Sequence, residues 1–230
     1  MIPKLIHQTA RTPDISKQAR QFQQRIRDQH PDWTYKLWTD ADNDAFVRAE
    51  MPDFYPVFAG LPKGIMRADV IRYVLMDRVG GLYLDTDYEM LRPFDLLSYE
   101  CVVPLETSGE EARLGNAYFA AAPGHLFFRR VLQTLKDAPP RDPDADVLSS
   151  TGPAFITRVY RSMTPEEQAQ VHTPAREIFN PLVPRNGREY RRLARNPEIY
   201  GIHHCLGTWR EFTFLQRIRN WAGDAYHKVR

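Results

Sequence analysis

Asp85 and Asp87 are separated by one residue, so in extended chain both carboxylates face the same side and Thr86 turns away. Two carboxylates that close repel each other unless a cation lies between them. A hard divalent ion held there would neutralise the pair, grip a diphosphate and stabilise the charge on a departing nucleoside diphosphate. Oxygen ligands suit Mg²⁺ or Mn²⁺, and an imidazole in the shell favours Mn²⁺. His203 is the candidate imidazole and His204 competes with it; strand alternation sends the two to opposite faces, so only one can reach the metal. An isolated doublet is equally well explained as a solvated turn or a helix cap, so its context decides.

Asp69 and Arg72 are three residues apart and share a helix face, although Ala68, Val70, Ile71 and Val74 around them place that helix inside the molecule. Buried charges must be paired or used. One reading is an internal ion pair. The other is a sugar site, which needs a carboxylate that accepts from hydroxyls and a guanidinium that donates as a fork. Glu106 and Asn116 follow expected strands and are either donor or acceptor contacts or plain turn residues.

These groups require an α/β frame. Lys4 to Gln8 is an expected first strand, 16–29 an amphipathic helix, and Thr34 to Trp38 a second strand. Residues 64–79 are apolar around most of the circumference, and Gly80 and Gly81 stop the helix. Leu82 to Leu84 is then a short packed strand that delivers Asp85 and Asp87 to its carboxyl end, the edge where open α/β sheets bind ligands. Further strands are expected at 101–105, 117–121 and 199–205, with helices at 125–136 and 153–163 and an exposed loop over 137–150.

The chain has 230 residues, and its 43% hydrophobic and 26% charged content excludes disordered and low-complexity classes. No apolar run reaches the roughly 18 residues that span a bilayer, and the amino terminus lacks a secretory apolar core, so a cytoplasmic protein is expected. Cys101 and Cys205 read as reduced core thiols. A net charge of +2 argues against nucleic-acid binding, but residues 185–230 carry ten Lys and Arg against four Asp and Glu. Over about 210–230, Phe214, Leu215, Ile218 and Trp221 share one face of a basic amphipathic helix, which either packs on the domain or rests on an anionic membrane surface.

The runs Arg67 to Tyr73 and Gly80 to Asp87 resemble the DXD signature of a glycosyltransferase family that includes initiating mannosyltransferases and capsular polysaccharide synthesis proteins. The family is more remotely similar to the glucosylating domain of large clostridial toxins. Ile2 to Thr9, Gly115 to Ala117 with Pro123 to His125, Thr151 to Pro153, and Ile202 through Trp209 resemble further family stretches in the same order. Thr208 stands where the family commonly has Ser, and Cys205 where a bulky aromatic is frequent.

The resemblance implies a GT-A fold: a single catalytic domain over 1–230, with a central mixed, mostly parallel sheet flanked by helices and a C-terminal amphipathic helix. It implies Mn²⁺ or Mg²⁺ held by Asp85, Asp87 and His203, and a UDP- or GDP-sugar donor contacted by Ile6, His7, Gln8, Asp69, Arg72, Tyr83, Asp85, Asn116 and Trp209. On the same resemblance, Asp69, Arg72, Asp85 and Asp87 are expected to carry the catalytic roles. The implied activity is retaining hexosyl transfer to a glycan or glycolipid, in capsular or surface polysaccharide synthesis; peripheral membrane contact is the expectation if the terminal helix does not pack on the domain. A toxin-like protein glycosyltransferase, a metal-dependent phosphoesterase and a non-catalytic sugar-nucleotide binding module are the competing expectations.

Overall fold

The computed structural model describes residues 1–184 and 186–206; the helix expected over about 210–230 and the Thr208–Trp209 pair lie outside them. β1 (Leu5–Thr9) leads to α1 (Lys17–Gln29), whose first turn is closed by the Ser16 hydroxyl accepting from the Ala19 N–H at 3.1 Å. α1 buries Ala19, Phe22 and Ile26, the apolar stripe legible in its sequence. β2 (Thr34–Trp38) returns parallel to β1. A capping box between Thr39 and Asp42 starts α2 (Asp40–Glu50), followed by the short α3 (Tyr55–Ala59).

α4 (Gly64–Arg78) is buried from Ala68 to Asp77 without interruption, because it is packed between the sheet and α5 (Leu126–Asp137). Two glycines then turn the chain into β3 (Gly81–Leu84). Gly81 has φ +101°, and a Cβ there would stand 2.6 Å from the Leu5 carbonyl oxygen, so only glycine lets β3 lie this close to β1. β4 (Tyr88–Met90), β5 (Cys101–Val102) and β6 (Tyr118–Ala121) follow, and beyond α5 come α6 (Val147–Ser150), α7 (Pro153–Arg161), α8 (Pro165–Gln168), α9 (Arg176–Phe179), α10 (Gly187–Arg195) and β7 (Gly201–His203).

The main sheet has the order β2-β1-β3-β6-β5, with parallel pairing across β2, β1 and β3 and antiparallel pairing on both sides of β6. The sheet is therefore mixed, with only β6 running against the common direction. Alternation along β3 sends Tyr83 to the core beneath α4 and α5 and Leu82 and Leu84 to the opposite core with Ile6, Ile26 and Tyr118. Burying each such aliphatic or aromatic side chain contributes about 1.5–3 kcal/mol. β4 leaves the main sheet to pair antiparallel with β7, with Tyr88 opposite His203.

Several local expectations are corrected. Extended structure at 101–105 narrows to Cys101–Val102, because Val103 and Leu105 donate to the loop carbonyls of His172 and Pro174 and not to a strand. The late strand likewise contracts to Gly201–His203. The 137–150 loop ends in a helical turn, α6, capped by the Asp146 carboxylate. Cys101 is a buried thiol as expected, but Cys205 is exposed.

Candidate active site

Asp85 and Asp87 are not in extended chain. The Tyr88 N–H donates to the Asp85 carbonyl at 3.0 Å, closing a turn in which Thr86 is buried. Asp85 ends β3 in the main sheet and Asp87 immediately precedes β4 in the smaller one, so the doublet forms the corner where the chain changes sheets. The β4–β7 pairing brings His203 to that corner: its Nε2 lies 3.2 Å from Asp87 Oδ1 and 3.8 Å from Asp85 Oδ2. One ligand atom from each of the three residues can be chosen within 4.8 Å of the others. His204 turns the other way, with Nε2 3.0 Å from the Glu89 carboxylate and its ring stacked on Phe22 at 5.0 Å.

The two aspartates sit in different surroundings. Asp85 accepts from the Tyr83 hydroxyl at 2.7 Å, and Arg72 Nη1 lies 3.1 Å from it. Thr9 bonds the same Tyr83 hydroxyl at 2.9 Å and, since that proton points to Asp85, Thr9 is the donor. Gln8 donates to the Asp85 carbonyl at 3.1 Å and accepts from Tyr35 at 2.7 Å. Asp87 accepts from the Leu206 N–H at 2.7 Å. Burial works against ionised Asp87, but the hydrogen bond and charge of His203, together with Leu206, hold its carboxyl below the ordinary range. Burial also works against charged His203; its hydrogen bonds to Asp87 and Cys205 and the Asp85 charge outweigh this and raise its pKa to about 10.

Asp69 and Arg72 are 3% and 2% exposed, and their ion pair of 3.2 Å spans one helical turn. Asp69 also accepts from Asn116 Nδ2 and the Thr151 hydroxyl, each at 2.9 Å. Arg72 donates to the Ala68 and Asn116 carbonyls at 2.9 and 2.6 Å. Burial lifts the Asp69 carboxyl to about 6 against the pull of Arg72 and Thr151. The internal ion pair and the approach to the doublet are thus both present in one network, and Arg72 links them.

Ile6 and His7 are interior. Their backbone pairs with β2 on one side and β3 on the other, Ile6 packs in the core, and His7 accepts from Trp38 Nε1 at 3.1 Å while bonding the Gly80 carbonyl at 2.9 Å. They support the edge of the sheet; Gln8 and Thr9 are the β1 residues that reach toward the doublet. Trp209 lies outside the described residues. The sequence reading gave no role to Thr151, the Leu206 N–H or the Glu89 cluster. Thr151 stands in one of the stretches that resemble the family, so a signal existed for it. A backbone donor such as Leu206 leaves none.

Behind the β4–β7 ribbon an open cleft of ≈ 970 Å³ is lined by Phe22, Arg25, Glu89, Tyr190 and His204. It lies on the His204 side, whereas the charge arrangement suited to chemistry lies on the His203 side. Two carboxylates and one imidazole form a donor set that fits a divalent ion once the imidazole gives up its proton.

The mixed α/β fold, with an acidic doublet at the carboxyl edge of its sheet, is similar to known glycosyltransferases. The family model described as the glycosyltransferase sugar-binding region containing the DXD motif matches residues 16–103. The chain is 37% identical over 163 residues to mannosyl phosphorylinositol ceramide synthase CSH1 of Saccharomyces cerevisiae, covering 70% of this chain and 43% of that protein. It is 31% identical over 235 residues to inositol phosphoceramide mannosyltransferase 3 of Schizosaccharomyces pombe, covering 93% and 62% respectively. The chain therefore spans about half the length of the curated relatives it matches. Among solved structures it resembles PaToxG glycosyltransferase with a TM-score of 0.56 at 18% identity, covering 70% of each chain, a likeness of fold. Residues 16–103 thus match a glycosyltransferase sugar-binding region with a DXD motif, and the fold is of the GT-A type.

Proposed function

We propose that this chain is a metal-dependent, retaining glycosyltransferase that moves a mannosyl or related hexosyl group from a UDP- or GDP-sugar to a hydroxyl of a glycolipid or glycan. The observation that carries this reading is the convergence of Asp85, Asp87 and His203 at the sheet corner, joined through Arg72 to Asp69. Mannosyl transfer to an inositol-containing lipid draws support from the relatives' names, and surface polysaccharide synthesis is a narrower alternative that rests on the family resemblance. Among the described residues no helix is long and apolar enough to cross a membrane, so a lipid acceptor would be met at the membrane surface.

Asp85, Asp87 and His203 would hold Mn²⁺ or Mg²⁺. Such an ion supplies Lewis-acid stabilisation of the charge that develops on a leaving diphosphate. The chain's own groups act by position and charge. Gln8 and Tyr83 fix Asp85 from β1 and β3, and Arg72 keeps positive charge beside it. Asn116 closes the sugar side by bonding both members of the Asp69–Arg72 pair.

The test is a thermal-shift screen of the full chain against GDP-mannose, UDP-glucose and their parent nucleotides with and without Mn²⁺, followed by product analysis with inositol phosphoceramide. Mn²⁺-dependent stabilisation by a nucleotide sugar is expected, since ligand binding raises the melting point only for what the native state holds. Release of free phosphate from simple esters without sugar transfer would move the assignment to a phosphoesterase.

A further inference from the structure

Asp69 and Arg72, the groups expected to hold the donor sugar, are almost spent within the protein. Asp69 Oδ1 already receives Asn116 and Arg72, and Oδ2 receives Thr151, which leaves about one of the four acceptor positions of a carboxylate open. A sugar ring presents several hydroxyls, so the edge needs another acceptor.

Glu106 has that capacity. It follows β5 at the same edge, its N–H donates to the Arg113 carbonyl at 2.8 Å, and a bridge between Leu105 and Leu114 pins the segment. Its Cβ lies against Gly115, where an added Cβ would stand 3.3 Å away, directly before Asn116. The side chain is 23% exposed and its carboxylate makes no hydrogen bond to any described residue; its ion-pair partner, Arg113 Nε, stands at 3.7 Å. Burial, opposed by Arg113, His203 and Arg176 and reinforced by Asp69, lifts its pKa above the ordinary range. A partly buried carboxylate with open lone pairs beside Gly115, which precedes Asn116, is available to accept from hydroxyls that displace water there.

We infer that Glu106 is a specificity-determining residue whose carboxylate accepts hydrogen bonds from hydroxyls of the donor sugar, completing the cradle begun by Asp69, Arg72 and Asn116. This inference rests on the nucleotide-sugar reading of the site. It requires Glu106 to matter for the sugar and not for the nucleotide.

Calorimetric titration of the full chain with Mn²⁺ and GDP, GDP-mannose, UDP or UDP-glucose separates the two. In the wild type the preferred nucleotide sugar should bind more tightly than its parent nucleotide. In Glu106→Ala that margin should shrink by about tenfold or more, the strength of a hydrogen bond to a charged group, while bare-nucleotide affinity stays within twofold. Glu106→Gln keeps the shape and one acceptor, should restore part of the margin, and serves if the alanine variant folds poorly. An unchanged margin in both variants, equal weakening of nucleotide and nucleotide sugar, or no margin in the wild type would overturn the inference. Failure of the wild type to bind any of the four ligands would instead overturn the nucleotide-sugar reading beneath it.

Discussion

One guanidinium joins the two acidic elements of the site: Arg72 Nη2 lies 3.2 Å from Asp69, one helical turn before it, and Nη1 lies 3.1 Å from Asp85 at the end of β3. The forked geometry lets separate nitrogens serve separate carboxylates, which an ammonium cannot do from a single point. The helix and the strand end are thereby held as one electrostatic unit.

Arg72→Ala should therefore destabilise the fold by about 3–5 kcal/mol, since it strands two carboxylates, one of them almost fully buried. Arg72→Lys should recover only part of this, because it cannot keep both carboxylates and the Ala68 and Asn116 carbonyls satisfied. Urea unfolding at pH 7 measures both.

The two aspartates should separate in stability but not in activity. Asp85→Ala and Asp87→Ala are each expected to lower metal-dependent turnover by about three orders of magnitude or more, the equivalent of several kcal/mol of lost charge stabilisation. Asp85→Ala should cost more stability, by about 1–3 kcal/mol, because it removes partners of buried Arg72 and Tyr83. Turnover assays with Mn²⁺ or EDTA and thermal melts check the pair. Wild-type rates from both variants in EDTA would end the metal-dependent reading.

His203 and His204 should behave oppositely although they are adjacent. His203→Ala is expected to weaken Mn²⁺ binding by about tenfold or more. His204→Ala should leave Mn²⁺ affinity within about twofold and instead loosen the Glu89 cluster, to which Arg25 and Tyr190 also bond. Titration of Mn²⁺ followed by electron paramagnetic resonance distinguishes them.

His7 should make stability depend on pH in mild acid. Burial, aided by Lys36 and opposed by the hydrogen bond to Gly80, lowers its pKa from 6.5 to about 4. The unfolded chain then binds a proton that the folded chain refuses between these values, so the neutral imidazole's contribution is complete above about 6.5 and is lost as pH falls toward 4. The loss is about 3 kcal/mol. Asp69, raised to about 6, acts in the opposite sense over much of the same window, so the wild-type curve alone is flattened. The advantage of wild type over His7→Gln should narrow by about 3 kcal/mol between pH 7 and pH 4 in urea titrations.

Local patterns were sufficient for much of this. The stripe of Ala19, Phe22 and Ile26, the 64–79 helix apolar around most of its circumference, the Gly80–Gly81 stop and the delivery of the doublet to a strand end all follow from spacing within a few residues, where backbone geometry fixes which side chains share a face. Spacing misled at Asp85–Asp87 itself, because a turn to a second sheet replaced the extended chain that alternation assumes.

Only tertiary structure chose His203 over His204, gave Asp69 its Thr151 partner 82 residues away, and brought the Leu206 N–H 119 residues along the chain to Asp87. Such contacts form when packing satisfies buried polar groups, and the penalty for leaving one unsatisfied depends on what the fold has carried beside it. That information is spread over the whole chain, while periodicity reports only on neighbours. The chemistry at this corner was written in residue types; which of them touch was decided by the β4–β7 ribbon.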